Sequence, residues 1–244
     1  MLQGYSIATQ EVQHRVILSV NSLEKCGKSR FMFMAPGPIA YMGFDKPPED
    51  IIWQFSKERQ IFVKQYTTGS NDQAAFISLK LEFWEDYKAL LQSKEVRTVA
   101  IDTGTQLWNM FRMAEFGKST GVQPWHYGPV NEDFRNVVNL AYDSNKNVII
   151  SHKNKKRYIQ AVKGSEKEVW DGSYEKAGFS EIGFLVQANI QLTREDIPPY
   201  DFVCQVVDCA QNGSIKGLEL RNEQITFATL ATFIFPDTEE ADWI

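Results

Sequence analysis

Short apolar runs rich in β-branched residues alternate with helical patterns through the first 150 residues of this 244-residue chain. Near-continuous apolar strands are typical of a parallel sheet that helices cover on both faces. The runs predict strands at residues 15–20, 38–44, 60–66, 97–101 and 147–151. The intervening patterns predict helices at residues 28–34, 72–93, 105–116 and 130–145. The alternation therefore predicts an α/β fold with a mostly parallel central sheet flanked by helices.

The pattern changes after residue 186. Four segments, "ANIQLTRE", "YDFVCQVVDCA", "GSIKGLELR" and "TFATLATFIF", predict antiparallel strands added at one edge of the sheet, with "QNGS" as a hairpin turn. Residues 115–178 are expected to be rich in loops. We therefore predict one domain over residues 1–236, followed by an acidic tail at residues 237–244. That tail is either a frayed end or a docking peptide for a single-strand-binding or replication protein.

The composition is that of a globular protein, and the net charge of −5 argues against a general polyanion binder. A nucleic-acid site would need a local basic patch. Three cysteines without CxxC spacing argue against a disulfide framework or a zinc site and favour a reducing cytoplasm. We find no signal-peptide pattern at the N-terminus and no apolar stretch near the roughly 20 residues of a membrane span, so we expect no membrane association.

The triplet Gly-Lys-Ser occurs twice, at residues 27–29 and 117–119. A phosphate-binding loop needs a strand before it and a helix after it. The first triplet has this context, although Ser22 stands where the usual pattern has its first glycine. The second follows a predicted helix, and Arg112 stands at the corresponding position. We therefore expect the first triplet to bind a nucleotide and Lys118 to be a solvated loop charge.

The first loop suggests how ATP would be held, although a helix-capping turn without a ligand is the alternative. Main-chain N–H groups would surround the phosphates, Lys28 would contact the β- and γ-phosphates, and the hydroxyl of Ser29 would bind Mg²⁺. The residues predicted to contact ATP are Ser22, Glu24, Lys25, Cys26, Gly27, Lys28, Ser29 and Arg30.

Polar residues end three of the predicted strands, at the sheet edge where ligands bind in such folds. Asp102 is predicted to bind Mg²⁺ together with Ser29, or else to cap the next helix. Asp45 is predicted to act as the general base for the attacking water, or else to be a turn residue. His152 is either a sensor of the γ-phosphate or a structural histidine. With Lys28, these residues form the predicted catalytic set.

The order of these segments resembles that of the RecA-like P-loop ATPases. The segments are "SLEKCGKS", "GFDKPPED", "VAIDT", "YGPVNEDFRNVVNLAYDSNKNVIISHKNKKR" and "EIGFLVQANIQLTRE", within residues 15–195. The nearest group is the short, phage-encoded one associated with single-strand annealing and recombination. The resemblance implies DNA-dependent ATP hydrolysis in recombination, annealing or repair, in the cytoplasm of a bacterial host. It also implies a homo-oligomer, ring or filament, in which Arg194, or Lys216 and Arg221, reach a neighbour's γ-phosphate.

RecA-like proteins carry two DNA-binding loops, and the resemblance implies one at residues 117–129 and one that begins at residue 153. Cations would bind the phosphates of single-stranded DNA, and flat rings would stack on its bases. The predicted DNA contacts are Lys118, Trp125, Lys153, Lys155, Lys156, Arg157, Tyr158 and Lys163. The alternative for the second segment is a solvated, charged hairpin.

Two other functions remain open. A nucleotide-switched adaptor or loader for a phage replication protein would bind ATP at the same loop and hydrolyse it slowly. A small P-loop kinase would need an arginine-rich lid, for which the basic segment offers no clear pattern.

Overall fold

The computed structural model describes residues 14–118, 121–160 and 168–244. Within these ranges the strands are β1 (Ile17–Ser22), β2 (Ile39–Gly43), β3 (Ile61–Gln65), β4 (Thr98–Asp102), β5 (Asn147–Gln160), β6 (Glu168–Lys176), β7 (Ala188–Arg194), β8 (Phe202–Cys209) and β9 (Glu219–Arg221). The α-helices are α1 (Lys28–Phe33), α2 (Glu49–Phe55), α3 (Gln73–Gln92), α4 (Gly104–Phe116), α5 (Gly128–Tyr142), α6 (Ile182–Leu185) and α7 (Phe227–Ile234).

One sheet runs through the molecule in the order β3-β2-β4-β5-β1-β7-β8-β9. Every pair from β3 to β7 is parallel, whereas β8 and β9 join antiparallel. The predicted mostly parallel α/β sheet with antiparallel strands at one edge is thus confirmed. One detail of that prediction is wrong, because β7 pairs parallel with β1 and antiparallel only with β8.

Alternating side chains of each central strand divide the core between the two faces of the sheet. On one face, Leu18 and Val20 of β1 pack in the same buried cluster as residues of α1 and α7. On the other face, Ile17 belongs to a cluster with residues of α3, α4 and α5. The parallel strands are therefore covered on both sides, and their carboxyl ends are left open at one edge.

The segment "TFATLATFIF" is helical, so its predicted strand is wrong. Thr226 caps α7 by accepting a hydrogen bond from the N–H of Thr229 at 3.0 Å. Buried side chains then recur at helical spacing: Phe227, Ala228, Leu230, Ala231 and Ile234. Phenylalanine and threonine favour strands on composition, but the spacing of the buried side chains and the capping threonine determine the helix.

The β8–β9 connection also differs from the prediction. Instead of a two-residue hairpin turn at "QNGS", a longer loop includes one 3₁₀ turn at Gly213–Ile215. Asn212 starts this turn by accepting a hydrogen bond from the N–H of Ser214 at 3.2 Å. Of the segment "GSIKGLELR", only Glu219–Arg221 forms a strand.

The middle of the chain is more regular than predicted. Strand β5 continues past the predicted end at residue 151 as far as Gln160, and its outer half pairs antiparallel with β6. We call this two-stranded extension the arm (residues 154–160 and 168–176). Residues 161–167 lie outside the described part of the chain. This range contains Lys163, a predicted DNA contact, and Lys167.

The acidic C-terminal segment packs against the domain. The side chain of Trp243 is only 2% exposed and stacks on Phe235 with 5.7 Å between ring centroids. Arg97 donates to the main-chain oxygens of Asp242 and Ile244 at 2.5 and 3.2 Å. Of the terminal pair that suggested a docking peptide, Ile244 alone is exposed. Among the described helices, none is both long and apolar enough to cross a bilayer.

Candidate functional site

The loop between β1 and α1 has an unusual backbone. Gly27 precedes α1 with φ 90° and ψ 9°, and Lys25 also has a positive φ, of 57°. Glycine reaches this region without steric cost, which explains the residue at position 27. In the described part of the chain, the main-chain N–H groups of residues 24–27 donate no hydrogen bond. Consecutive free N–H groups of this kind form a concave site for an anion.

Lys28 folds back over this loop. Its ammonium group donates to the hydroxyl of Ser22 at 2.6 Å and to the main-chain oxygen of Leu23 at 2.9 Å. Burial lowers the pKa of Lys28, and the negative charge of Asp102 opposes that shift. The departure from glycine at position 22 thus supplies an acceptor for Lys28. Phosphate oxygens are stronger acceptors and would compensate the buried charge better than these neutral groups.

Asp102 lies at the carboxyl end of β4, and three hydroxyl groups converge on its buried carboxylate. Ser29 donates to it at 3.1 Å, Tyr41 at 3.0 Å and Ser151 at 2.5 Å. Burial raises the pKa of Tyr41, and the charge of Asp102 raises it further. The predicted pair of Ser29 and Asp102 is therefore brought together, although the two residues are 73 positions apart in sequence.

This donor set fits Mg²⁺. The ion is usually held by one or two carboxylates together with substrate phosphates and water, rather than by a complete protein cage. Among the described residues there is no group of three or more histidine, cysteine, aspartate or glutamate side chains that could hold a metal alone. The oxygens of Ser29 and Asp102 leave most coordination positions to phosphate and water, as this chemistry requires.

Tyr41 and Ser151 are two site residues that the sequence interpretation missed. The alternation of side chains along the predicted strands could have identified them. Ser151 lies two residues after Ile149, which packs on the same face as α1. Tyr41 lies on β2, next to β4 in the sheet.

Asp45 follows the end of β2 and forms an ion pair with Lys153. Burial alone would raise the pKa of this carboxyl, but the hydrogen bonds from Lys153 and from the N–H of Lys46 lower it overall. A carboxylate with a lowered pKa that is occupied by an ammonium group is a poor proton acceptor. In this arrangement Asp45 could accept a proton from water only after Lys153 has moved.

His152 lies on the opposite face of β5 from Ser151. Its ring is fully buried, and neither ring nitrogen has a hydrogen-bond partner in the described part of the chain. It packs against Phe134 with 6.1 Å between ring centroids and closely approaches Gly104, where a Cβ atom would lie 2.8 Å from Cε1. Burial holds the pKa of His152 well below its ordinary value, and Lys176 and Lys28 lower it further. Because Ser151 donates to Asp102 from the other face of β5, the imidazole of His152 does not face Asp102.

The three side chains suggested as trans-acting fingers have different surroundings. Arg194 lines a cavity together with Glu24, Lys25 and Cys26 of the loop between β1 and α1. Its guanidinium group lies 5.3 Å from the ring centroid of Phe202. Lys216 and Arg221 lie in ion pairs with Asp208 and Glu195, at 3.6 and 2.8 Å. Of the three, Arg194 is therefore the one that contacts the loop of its own chain.

A cleft of about 820 Å³ opens beside the same loop. Cys26, Gly27 and Arg30 form one edge, and its lining is mainly apolar. The apolar side chains that line it are Phe31, Met34, Ile51, Leu192, Phe202 and Ile225. An apolar cleft that adjoins an anion site has the shape and chemistry for a flat base linked to phosphates.

The first predicted DNA loop exposes a cation and a ring. Lys118 is exposed just after the end of α4, and Trp125 is 74% exposed in a 3₁₀ turn at Pro124–Tyr127. Tyr127 packs inward, with 5.4 Å between its ring centroid and that of Trp108. Ser119 lies outside the described residues.

The arm is less positive than its sequence suggests, because its cations have local partners. Lys155 pairs with Glu175 at 3.1 Å, and Arg157 pairs with Asp171 at 3.5 Å. The ammonium group of Lys156 lies 4.8 Å from the ring centroid of Trp170. Three exposed rings remain on the arm: Tyr158, Trp170 and Tyr174. Lys153, predicted as a fourth cation of this segment, lies instead at the sheet edge beside Asp45.

No protein-family model matches this chain, and a search of the curated proteins finds no match.

Proposed function

We propose that this chain is a Mg²⁺-dependent P-loop ATPase of the RecA-like kind that acts on single-stranded DNA. The observation that carries the proposal is the 3.1 Å hydrogen bond from the hydroxyl of Ser29 to the carboxylate of Asp102. Lys28 and four free main-chain N–H groups lie at the same sheet edge. A hydroxyl, a carboxylate, a buried ammonium group and an anion site are together what binding of a Mg²⁺-nucleotide requires.

In this proposal, each group has one task. The N–H groups of residues 24–27 bind phosphate oxygens, and Lys28 exchanges its neutral acceptors for the β- and γ-phosphates. Ser29 and Asp102 hold Mg²⁺, which neutralises charge that develops on the phosphates during hydrolysis. The cleft lined by Phe31 and Phe202 holds the base. Asp45 accepts a proton from the attacking water once it is free of Lys153.

The DNA-binding part of the proposal rests on exposed rings rather than on net charge. Trp125 of the first loop and Tyr158, Trp170 and Tyr174 of the arm are all exposed. Base stacking tolerates any sequence and contributes about 1–3 kcal/mol per base. Because local carboxylates neutralise Lys155 and Arg157, we expect a shallower salt dependence of binding than the number of cations suggests. Homo-oligomer formation stays part of the proposal on the strength of the family resemblance.

The adaptor alternative has one observation in its favour. Asp45 is held by Lys153, and a carboxylate in this ion pair is not arranged for rapid proton transfer. Slow hydrolysis that a partner accelerates would suit a nucleotide-dependent switch as well as a DNA-dependent ATPase.

The deciding experiment is an ATPase assay with and without a single-stranded oligonucleotide and with and without Mg²⁺. The proposal expects hydrolysis that needs Mg²⁺, is lost in Lys28→Met and is accelerated by DNA. Lys64→Met is a matched control, because Lys64 lies on β3, away from the loop, and forms ion pairs with Glu82 and Asp86 of α3. Mg²⁺-dependent hydrolysis without any DNA binding would favour the adaptor. Equal hydrolysis by wild type and Lys28→Met would overturn the assignment of the nucleotide site.

A further inference from the structure

Lys153 belongs by position to the nucleotide site rather than to the arm. In the parallel pairing of β1 and β5, Lys153 is the register partner of Ser22, the last residue before the phosphate loop. Side chains alternate along β5, so Lys153 lies on the same face as Ser151 and Ile149, the face that α1 covers. Its main-chain N–H donates to the hydroxyl of Thr105 at 3.0 Å, which anchors this part of the strand to α4.

The partner of Lys153 also differs from those of the arm cations. Lys155 and Arg157 pair with carboxylates on β6, their neighbouring strand within the arm. Lys153 instead pairs with Asp45, which follows β2 and is separated from β5 in the sheet by β4. The ion pair therefore extends over the carboxyl end of the Asp102 strand. Lys28 is near this ion pair, because its ammonium group donates to the hydroxyl of Ser22, the register partner of Lys153.

We infer that Lys153 binds the γ-phosphate and that its transfer from Asp45 to this phosphate frees the Asp45 carboxylate for catalysis. The inference rests on the proposed function. Two lysines, Lys28 and Lys153, would then share the terminal phosphate. Lys28 would leave two neutral acceptors for it, and Lys153 would leave the carboxylate of Asp45. Lysine suits this exchange because its compact ammonium group sits on a flexible four-carbon stem.

The chemistry balances without another reactant. Water attacks the γ-phosphorus, an oxygen–phosphorus bond forms, and the bond to the β,γ-bridging oxygen breaks to give ADP and inorganic phosphate. The proton of the water passes to the freed carboxylate of Asp45 and is later released to solvent. Lys153 stays protonated and compensates the negative charge on the γ-phosphate oxygens.

This arrangement makes opposite predictions for the two partners of one ion pair. Lys153→Met removes a ligand of the γ-phosphate, so a triphosphate should bind more weakly while ADP binds as before. Asp45→Asn removes the carboxylate that competes for Lys153, so a triphosphate should bind more tightly even though hydrolysis falls. An ion pair with a purely structural role would give changes of the same sign in both variants.

The experiment is calorimetric titration with Mg²⁺ and either ADP or the non-hydrolysable β,γ-imido analogue of ATP. For Lys153→Met, we expect the preference for the analogue over ADP to fall by roughly tenfold to a hundredfold, the range for a charged hydrogen bond. Lys153→Arg keeps the charge and should restore much of that preference. Lys64→Met removes a lysine of similar exposure from ion pairs on β3 and should leave the preference unchanged.

An unchanged preference in Lys153→Met, or an equal loss for both ligands, would overturn the role of Lys153. In either case, wild-type binding that Lys28→Met abolishes for both ligands would leave the nucleotide site itself intact. If wild type binds neither ligand, the proposed function fails and the inference fails with it.

Discussion

The glycines of the two Gly-Lys-Ser triplets lie at opposite ends of helices: the first precedes a helix, and the second follows one. Gly27 has φ 90° and precedes the first residue of α1, whereas Gly117 has φ 64° and follows the last residue of α4. Both glycines use the left-handed region that other residues rarely adopt. The lysine that follows Gly27 folds back onto the loop, and Lys118, which follows Gly117, is exposed.

The main-chain groups near the two glycines also differ in their hydrogen bonding. Near Gly27 the main-chain N–H groups of the loop donate to none of the residues that the structure describes, and a strand end brings Asp102 to Ser29. Near Gly117 it is carbonyl groups that need partners, and the side-chain amide of Gln73 donates to the main-chain oxygens of Ala114 and Glu115. A helix start offers donors and a helix end offers acceptors. The same Gly-Lys pair can therefore stand at the start of a helix, among main-chain donors, in one place and at the end of a helix in the other.

The largest expected effect separates the two lysines. Lys28→Met should abolish ATP hydrolysis, because the ammonium group of Lys28 lies over the loop between β1 and α1 that is proposed to bind the phosphates. Lys118→Met should leave DNA-independent hydrolysis unchanged, because its side chain is exposed beyond the end of α4. The measurement is phosphate release at saturating Mg²⁺ and ATP, with circular dichroism to show that both variants fold. An equal loss in the two variants would contradict the distinction between the triplets.

The strand before the first triplet and the helix after it could be predicted from the sequence, because they depend on neighbouring segments. Strand β1, the loop and α1 are contiguous, and Val99-Ala100-Ile101 before Asp102 is a clear buried strand. Periodicity was ambiguous at "TFATLATFIF", where strand-favouring residues form a helix. For the arm, the sequence offered a charged hairpin as an alternative, but it did not indicate that β5 continues without interruption into that hairpin.

Residues that act through tertiary contacts were harder to predict. Lys153 is adjacent in sequence to a run of cations, and only the pairing of β5 with β1 shows that it lies beside the loop between β1 and α1. Tyr41 donates to Asp102 from a strand 61 positions away. Basic residues of the arm predicted a positive surface, but the carboxylates that neutralise them come from the returning strand β6.

Lys176 can be compared with Lys28, because its ammonium group is also buried and also donates to neutral groups. Lys176 donates to the hydroxyl of Ser19 and to the side-chain oxygen of Asn189, both at 2.9 Å, and burial lowers its pKa from 10.5 to about 8. Between these values the unfolded chain holds a proton that the folded chain has lost. The free energy of unfolding should therefore rise with pH across this window, and the destabilisation is fully present below about pH 8.

Relative to Lys176→Met, wild type should gain up to about 3 kcal/mol of stability across that window. Urea denaturation of both proteins at several pH values gives the difference, in which the titration of other groups common to both proteins cancels. A difference that does not change with pH would show that Lys176 titrates at its ordinary pKa.

The second triplet opens the first predicted DNA loop, and Trp125 tests whether that loop has a role of its own. If a base stacks on this exposed ring, Trp125→Ala should weaken binding of a single-stranded oligonucleotide by about 1–3 kcal/mol with little change in salt dependence. Lys118→Met should instead reduce the slope of log K against log salt by about 0.7, the loss of one phosphate contact. Fluorescence titrations over a series of salt concentrations measure both quantities. No change in either variant would leave the second triplet as a helix stop alone.

The smallest expected effect concerns the two glycines. Alanine in the left-handed region costs about 1–2 kcal/mol, so Gly27→Ala and Gly117→Ala should destabilise the fold by similar amounts. A Cβ atom at Gly27 would lie 3.9 Å from Phe202, an ordinary contact, whereas at Gly117 it would lie 3.1 Å from the side chain of Gln73. Gln73 holds two carbonyl groups of α4, so Gly117→Ala should be slightly the more destabilising of the two.

Calorimetric titration should nevertheless show weaker binding of the imido analogue in Gly27→Ala alone, because only that glycine belongs to the loop that is proposed to bind the phosphates. Gly69→Ala, where an added Cβ meets nothing within 4 Å, is the control for both measurements. Equal weakening of nucleotide binding by both variants, in proportion to their lost stability, would mean that the backbone at Gly27 has no specific role in the site.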